Sequence, residues 1–260
     1  MRLDVYLVEH GLAESRARAK RWIESGAVSV DGDVITKPAA EIAGEPCVKV
    51  CEERFVGRGG EKLAFALTAF GIDPKGLWAL DIGASTGGFT DCLLQNGAAH
   101  VVAVDAGCGQ LHPKLLADGR VTNIEKYNAR ELDPAQVGQA DLVVMDVSFI
   151  SQTYILPRIP AVLRQGGKVL TLIKPQFEAG RGALNKNGLV KHPRDRIAAV
   201  RRVLNAAAEA GLVCRGLAPS PILGGDGNEE YLVFFNVGED VGKNAAWPAE
   251  KTVLEGVVVT

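Results

Sequence analysis

Seven short apolar runs between residues 77 and 238 constrain the fold of this chain more than any other feature of its sequence. They read LWALDIG, HVVAVDA, RVTNIEK, LVVMDVS, KVLTLIK, LVCRGLA and EYLVFFNVG. Most of the segments between them are long enough to hold a crossover helix, most clearly HPRDRIAAVRRVLNAAAEAGL. Strands that are apolar throughout and are joined by helices predict a mostly parallel sheet covered on both faces.

The last two runs break this pattern, because only the turn-rich segment PSPILGGDGN joins them. That segment is too short for a crossover helix, so we expect the two strands to pair antiparallel. Five helix-linked strands followed by an antiparallel terminal pair are typical of class I methyltransferases. The sequence therefore predicts an α/β, Rossmann-like sheet of seven strands, mostly parallel, with an antiparallel last strand.

Composition excludes several classes of protein. With 260 residues, 47% hydrophobic and 23% charged, the chain has the profile of a globular protein with room for a large and a small domain. No apolar run approaches the roughly 18 residues of a membrane helix, and charges interrupt the N-terminus too early for a secretory signal. We predict a cytoplasmic protein without a membrane partner. The five cysteines form no CxxC pair, which argues against disulfides and against a metal site.

The first 57 residues predict a small α+β domain. A helix ends before Gly26, and the dipeptide Asp31-Gly32 between alternating residues predicts a two-residue hairpin turn. Net charge is only -2, so affinity for nucleic acid must come from a local cluster. One such cluster lies on the helix, formed by Arg16, Arg18, Lys20 and Arg21. On charge alone, a solvated helix face explains this cluster equally well.

The sequence motif of this domain favours an RNA-binding function. The pattern SRxxAxxxIxxGxVxVxGxxxxKP resembles the small RNA-binding domain that is named after a small-subunit ribosomal protein. The resemblance implies that the four basic residues contact an RNA backbone, where cations displace counterions from phosphates. The glycine-rich stretch RFVGRGG follows as a predicted linker. We therefore divide the chain into an RNA-binding domain (1–57), a methyltransferase domain (58–238) and a C-terminal tail (239–260).

A glycine-rich loop, LDIGASTGGFTD, follows the first strand of the larger domain. Glycines there permit a tight turn and the approach of a ligand to backbone amides, although a purely structural turn is the competing interpretation. The dehydrogenase spelling GxGxxG is absent, because Ser85 occupies the second glycine position. Residues resembling an S-adenosyl-L-methionine site are Asp81, Gly83, Ser85, Gly87 and Asp105, the last placed to bind ribose hydroxyls. Asn128 follows the third strand, where methyltransferases commonly contact the adenine.

Four charged residues are predicted to meet at one edge of the sheet. Asp146 ends the fourth strand and Lys174 ends the fifth, and ligands bind beyond the carboxyl ends of parallel strands. Glu230 begins the antiparallel last strand, so it reaches the same edge. The helix that begins near Lys62 returns to the start of the first strand, which also places its N-terminus there. Two structural salt bridges would be the alternative explanation of these charges.

The set Lys62, Asp146, Lys174 and Glu230 resembles the K-D-K-E tetrad of RrmJ-like ribose 2′-O-methyltransferases. Together with the N-terminal domain and the spellings VDAGCGQL, DLVVMDVSFIS, IKPQFE and GNEEY, the chain resembles the TlyA family, called both haemolysin and ribosomal RNA 2′-O-methyltransferase. The resemblance implies S-adenosyl-L-methionine as cofactor and ribosomal RNA or ribosomal subunits as partner. In this reading Lys174 accepts the proton of a ribose hydroxyl, Asp146 orients its amine, and Lys62 with Glu230 holds the ribose.

Other activities fit the sequence less well. Methylation of exocyclic amines uses a motif of the type [DN]PP[YF], whereas residues 146–149 read DVSF. Carbon methylation commonly uses a cysteine after proline, and none of the five cysteines follows one. A metal-dependent O-methyltransferase would not need the N-terminal domain, and a membrane-active haemolysin would need an amphipathic segment. A non-catalytic ribosome-assembly factor stays open, as does whether residues 178–193 form a lid or are disordered.

Overall fold

The structure is a computed structural model that describes residues 1–24, 26–50, 54–225 and 227–237. It contains two compact units, Met1–Arg54 and Phe55–Thr260. The division lies three residues before the boundary predicted from the linker. The predicted tail, residues 239–260, lies outside the described residues, as does Cys51.

The first unit consists of two helices followed by a small sheet. Its elements are α1 (Leu3–Glu9), α2 (Arg16–Glu24), β1 (Val28–Val30), β2 (Asp33–Val34) and β3 (Val48–Val50). The turn between β1 and β2 has positive φ at Asp31 (52°) and Gly32 (96°), as the sequence predicts. Strand β3 was not foreseen; it pairs antiparallel with β1 and completes the order β2-β1-β3.

The second unit is built on the predicted seven-stranded sheet. Its strands are β4 (Trp78–Ile82), β5 (His100–Val104), β6 (Val121–Ile124), β7 (Ala140–Met145), β8 (Leu163–Ile173), β9 (Leu212–Pro219) and β10 (Tyr231–Val237). They lie in the order β6-β5-β4-β7-β8-β10-β9, and β10 is antiparallel to both of its neighbours. The predicted terminal pair is present, with β10 inserted between β8 and β9 and β9 forming the edge.

Helices cover both faces of this sheet. They are α3 (Gly59–Ala69), α4 (Gly88–Gln95), α5 (Pro113–Leu116), α6 (Pro134–Val137), α7 (Ile159–Val162), α8 (Pro175–Glu178) and α9 (Pro193–Glu209). Alternate residues of β7 point to opposite faces: Val143 belongs to the core under α9, and Leu142 to the core under α3 and α4. The predicted class I methyltransferase fold is therefore confirmed, with an apolar core on each face.

The strand register places the predicted site residues at one edge of the sheet. The parallel strands β4, β5, β7 and β8 all end at one edge of the sheet. Tyr231, the first residue of β10, pairs with Ile173, the last residue of β8. Consequently Glu230, just before β10, and Lys174, just after β8, emerge side by side at this edge.

Candidate active site

The glycine turn after β4 has an unusual backbone conformation. Positive φ angles recur at Gly83 (84°), Ser85 (48°) and Gly87 (96°). A Cβ atom on Gly83 would lie 2.6 Å from the backbone oxygen of Asp146, so the ends of β4 and β7 approach each other too closely for any side chain there. Gly87, the residue before α4, packs directly against the side chain of Leu115. A Cβ on Gly87 would lie 2.2 Å from Leu115.

Asp81 lies beneath this turn and is fully buried. Its Oδ2 accepts a hydrogen bond from the Thr90 hydroxyl at 2.6 Å, whereas its Oδ1 is buried with no hydrogen-bond partner among the described residues. Burial, with smaller contributions from the carboxylates of Asp146 and Asp105, raises the pKa of Asp81 to about 7, although the hydrogen bond from Thr90 lowers it. The carboxyl groups of Asp81, Asp105 and Asp146 therefore lie close enough to influence one another, and Asp81 is the one that holds its proton most tightly.

A cavity of about 590 Å³ opens beside the turn. Four of the six predicted cofactor residues line it, namely Gly83, Ser85, Asp105 and Asn128, whereas Asp81 and Gly87 do not. Its remaining wall includes apolar groups of Val104, Tyr127, Val147, Ile150 and Ile155. A cavity with this mixture of apolar walls and a few polar groups is suited to a small organic ligand.

Two of the lining residues are fixed by short hydrogen bonds. The carboxylate of Asp105 accepts from the backbone amides of Ser85 (2.8 Å) and Gly107 (2.7 Å), which ties the turn to the end of β5. The Asn128 side chain accepts from the Arg130 amide at 3.2 Å and donates to Glu131 at 2.8 Å. Both side chains are held in place before any ligand binds.

The four predicted catalytic residues form two ion pairs. Lys62 Nζ lies 2.5 Å from Glu230 Oε2, and only 9% and 2% of the two side chains is exposed. Lys174 Nζ lies 2.6 Å from Asp146 Oδ1, with 13% and 19% exposed. Removing both charges of an ion pair from water costs free energy that their attraction often does not recover. Two such pairs at one sheet edge therefore indicate a functional site more than a stabilising contact.

A second cavity, of about 280 Å³, brings the two pairs together. Lys62, Asp146, Lys174 and Glu230 all line it, with Arg58 among the other lining residues. It shares Gly83, Ser85, Asp146 and Ser148 with the larger cavity, so the two spaces adjoin at the glycine turn. A group bound in the larger cavity can therefore face a group held by the four charged residues.

The segment after β7 carries residues that the sequence analysis did not single out. Ser148 Oγ accepts a hydrogen bond from Lys174 Nζ at 2.9 Å. Phe149 has a positive φ of 64° and 92% of its surface exposed, although it also lines the larger cavity. Its ring centroid lies 5.2 Å from that of Phe177. An aromatic residue three positions after a strand-terminal acid was the available signal in the sequence.

Buried polar contacts anchor this segment. Glu178 is 2% exposed; it accepts from the Ser151 hydroxyl at 2.5 Å and from the Gln152 amide at 2.8 Å. Burial raises the pKa of Glu178. The Gln152 side chain donates to the backbone oxygen of Leu172 and accepts from Thr171, both in β8. The segments that carry Asp146 and Lys174 are thereby fixed to each other.

Residues 178–193, left open as a lid or a disordered loop, have a defined structure. An isolated bridge pairs Leu184 with Val190. The buried Asn228 accepts from the Val190 amide and donates to the Gly188 oxygen, each at 3.1 Å. Only one residue, Glu229, separates this anchor from Glu230.

The basic residues of α2 in the first unit are mostly engaged in ion pairs. Arg16 contacts the buried Asp4 at 3.0 Å, Arg18 contacts Glu14 at 2.9 Å, and Lys20 lies 3.7 Å from Glu24. Arg21 is exposed. Hydrogen bonding from Arg2, assisted by Arg16, lowers the pKa of Asp4 to about 2. Arg2, Arg16 and Lys20 line a shallow surface pocket, which leaves their cationic heads at the surface.

The parallel sheet, the glycine turn and the two adjoining cavities define a class I methyltransferase. Residues 55–237 match the family of FtsJ-like methyltransferases, and residues 1–45 match the S4 domain. The chain belongs to the TlyA family, in which these two domains are combined.

Relatives support this assignment over nearly the full length. The chain is 44% identical over 253 residues to Bacillus subtilis YqxC, provisionally named an rRNA methyltransferase, covering 96% of this chain and 86% of the relative. It is 42% identical over 243 residues to the 16S/23S rRNA (cytidine-2′-O)-methyltransferase TlyA of Mycobacterium tuberculosis, covering 92% and 91%. A solved structure from Streptococcus thermophilus, provisionally named a hemolysin, superposes with a TM-score of 0.76 at 39% identity, covering 100% and 94%.

The methyl donor of this family is S-adenosyl-L-methionine, and the site fits it. The donor is cationic at its sulfonium and amino groups. The carboxylates of Asp105 and Asp146, which both line the larger cavity, supply the complementary negative charge. The apolar wall at Val147 and Ile155 suits an adenine ring. Within the described ranges, no cluster of His, Cys, Asp or Glu could hold a metal ion.

The hemolysin name of some relatives raises the question of membranes. None of the helices in residues 1–24, 26–50, 54–225 and 227–237 combines the length and the hydropathy that crossing a bilayer requires.

Proposed function

We propose that this protein methylates the ribose 2′-hydroxyl of a cytidine in ribosomal RNA. The observation that carries the proposal is the gathering of Lys62, Asp146, Lys174 and Glu230 around one cavity that adjoins the cofactor cavity. The target nucleoside follows the name of the Mycobacterium tuberculosis relative. Because ribosomes are its substrate, we place the protein in the cytoplasm.

The four charged residues divide the work of the reaction. Bound S-adenosyl-L-methionine supplies an activated methyl group at its sulfonium. A ribose hydroxyl is a weak acid, so it must lose its proton as the new bond forms, and Lys174 is the base. Asp146, at 2.6 Å, orients the Lys174 amine and balances the charge that the amine acquires. Lys62 and Glu230, fixed to each other, hold the ribose in the smaller cavity.

Two further surfaces contact the RNA. The basic face of α2 in the S4 domain binds phosphates, which positions the RNA without reading its sequence. Phe149, exposed at the rim of the cofactor cavity, provides a face on which a base stacks when its ribose enters the site.

The test is methyl transfer to ribosomal subunits from a strain that lacks this protein. Labelled donor is incubated with 30S subunits, with 50S subunits and with free RNA, and methylated riboses are mapped. We expect incorporation at a cytidine ribose. Lys174→Ala should bind the donor normally by calorimetry and transfer no methyl group, whereas Lys168→Ala, elsewhere on β8, should transfer normally.

Two other outcomes separate the competing functions. Full activity of Lys174→Ala would remove that residue from the mechanism. Binding to subunits without any methyl transfer by the unaltered protein would favour the assembly factor. Lysis of erythrocyte membranes by the unaltered protein and by Lys174→Ala alike would favour the membrane-active reading.

A further inference from the structure

The amine of Lys174 has two oxygen neighbours. Asp146 Oδ1 lies 2.6 Å away as its ion-pair partner, and Ser148 Oγ accepts a hydrogen bond from Nζ at 2.9 Å. The two residues stand one apart in the chain, directly after β7, so their side chains reach the amine from one short segment. The serine hydroxyl is uncharged and is not part of the four-residue set.

Counting protons and lone pairs shows what the serine contributes. A neutral lysine amine, the form that can accept a proton, has two N–H groups and one lone pair. The hydrogen bond to Ser148 fixes the direction of one N–H, whereas Asp146 Oδ1 is in ion-pair contact with the amine without hydrogen-bond geometry. With one N–H directed at Ser148 and the other attracted to the carboxylate, the lone pair is left for the remaining direction. With Asp146 alone, the amine can still rotate about its Cε–Nζ bond, and the lone pair has no fixed direction.

The location of Ser148 matches such a role. It lines both the cofactor cavity and the smaller cavity, so it stands where the methyl donor and the ribose would meet. The segment around it is fixed on both sides: Val147 is buried, and Gln152 is bonded to Glu178 and to β8. Ser148 is itself exposed, and these contacts on both sides of it define the position from which its hydroxyl meets Lys174.

We propose that Ser148 is a positioning residue that fixes the rotation of the Lys174 amine so that its lone pair faces the 2′-hydroxyl. The inference rests on the proposed function, because it assigns the serine a role only if Lys174 is the base. It adds a fifth side chain to the reaction, one that acts through Lys174.

The experiment compares Ser148→Ala, Ser148→Thr and Ser151→Ala in the full chain, with labelled donor and ribosomal subunits. Ser151 is the matched control, since its hydroxyl lies on the same segment but bonds to Glu178. For Ser148→Ala we expect kcat to fall about tenfold or more, the effect of one hydrogen bond to a group that becomes charged. KM for subunits and Kd for the donor should stay within about twofold. Ser148→Thr, which keeps the hydroxyl, should recover most of kcat.

Ser151→Ala should mainly lower the melting temperature, with only a small effect on kcat. An unchanged kcat in Ser148→Ala, beside an inactive Lys174→Ala, would overturn this inference and leave the proposed function intact. A raised KM with unchanged kcat would also overturn it, because the serine would then contact RNA and not the base. If Lys174→Ala itself stays active, the proposed function fails, and the inference fails with it.

Discussion

At the scale of single residues, the carboxyl of Asp81 opposes folding at neutral pH. Its pKa rises from 3.8 to about 7 on folding, mainly through burial. The folded chain therefore holds this proton more tightly than the unfolded chain, and stability decreases as pH rises from about 4 to about 7. Three pKa units correspond to roughly 4 kcal/mol at most.

We predict that Asp81→Asn flattens this pH dependence. In urea unfolding without the donor, the loss of unfolding free energy between pH 5 and pH 8 should shrink by roughly 2–3 kcal/mol. Thr90→Val is the matched control with the opposite sign, because it removes the hydroxyl that stabilises the charged form. A variant destabilised equally at both pH values would contradict the prediction.

Phe149 combines strain with exposure, which points to a role outside folding. Its φ of 64° costs a non-glycine residue about 1 kcal/mol or more, and 92% of its surface faces solvent. We predict that Phe149→Gly raises the free energy of unfolding by about 1 kcal/mol while kcat/KM for ribosomal subunits falls at least tenfold, since stacking contributes about 1–3 kcal/mol per base.

The measurements for Phe149 are thermal unfolding and steady-state methyl transfer. Donor affinity, measured by calorimetry, should change little. Tyr154→Gly is the comparison, because this exposed aromatic residue lies outside both cavities. Normal transfer by Phe149→Gly would exclude a stacking role for the ring.

At the scale of secondary-structure elements, the site depends on how closely β4 and β7 approach. Gly83 directly follows β4 with φ 84°, and the space that a side chain would need there is occupied by the backbone of Asp146. An alanine there meets both a disfavoured φ and a backbone clash. Separating the two strand ends would also displace Asp146 from Lys174.

We predict that Gly83→Ala destabilises the protein by roughly 2–5 kcal/mol and abolishes donor binding. Gly71→Ala is the matched control: Gly71 has φ 63°, but a Cβ there meets nothing within 4 Å. It should cost only the backbone strain, roughly 1–2 kcal/mol, and bind the donor normally. Urea unfolding and calorimetry on both variants measure the difference. Equal effects at the two glycines would show that strain, and not the approach of the strands, decides.

At the scale of the whole molecule, the sequence is informative where a repeating pattern or a strand end determines position. Alternating apolar runs and helices predict the sheet, and the edge argument explains why Lys62, distant in sequence, lies beside Glu230. The position of β10 between β8 and β9 depends on pairing across the sheet, which no local pattern encodes. The conformation of Phe149 and the burial of Asp81 are likewise products of tertiary packing.

The charge of the basic face of α2 has two interpretations, an RNA contact and a solvated helix face. The dependence of binding on ionic strength distinguishes them. If Lys20 and Arg21 neutralise phosphates, binding to ribosomal subunits releases counterions, and affinity falls steeply with salt. We predict that Lys20→Ala with Arg21→Ala reduces the slope of log affinity against log salt by roughly 1.5–2 and raises KM, with kcat unchanged at saturation.

Arg120→Ala with Arg164→Ala removes the same charge from residues that pair with Asp118 and Asp141 beside the starts of β6 and β8, opposite the catalytic edge. We expect this control to leave the slope unchanged. If long-range attraction by the net charge of the protein were responsible, both double variants would reduce the slope alike. If both double variants keep the slope of the unaltered protein, the basic face of α2 is a solvated surface and does not contact phosphates. RNA positioning would then have to come from the second unit, where Arg58 lines the smaller cavity.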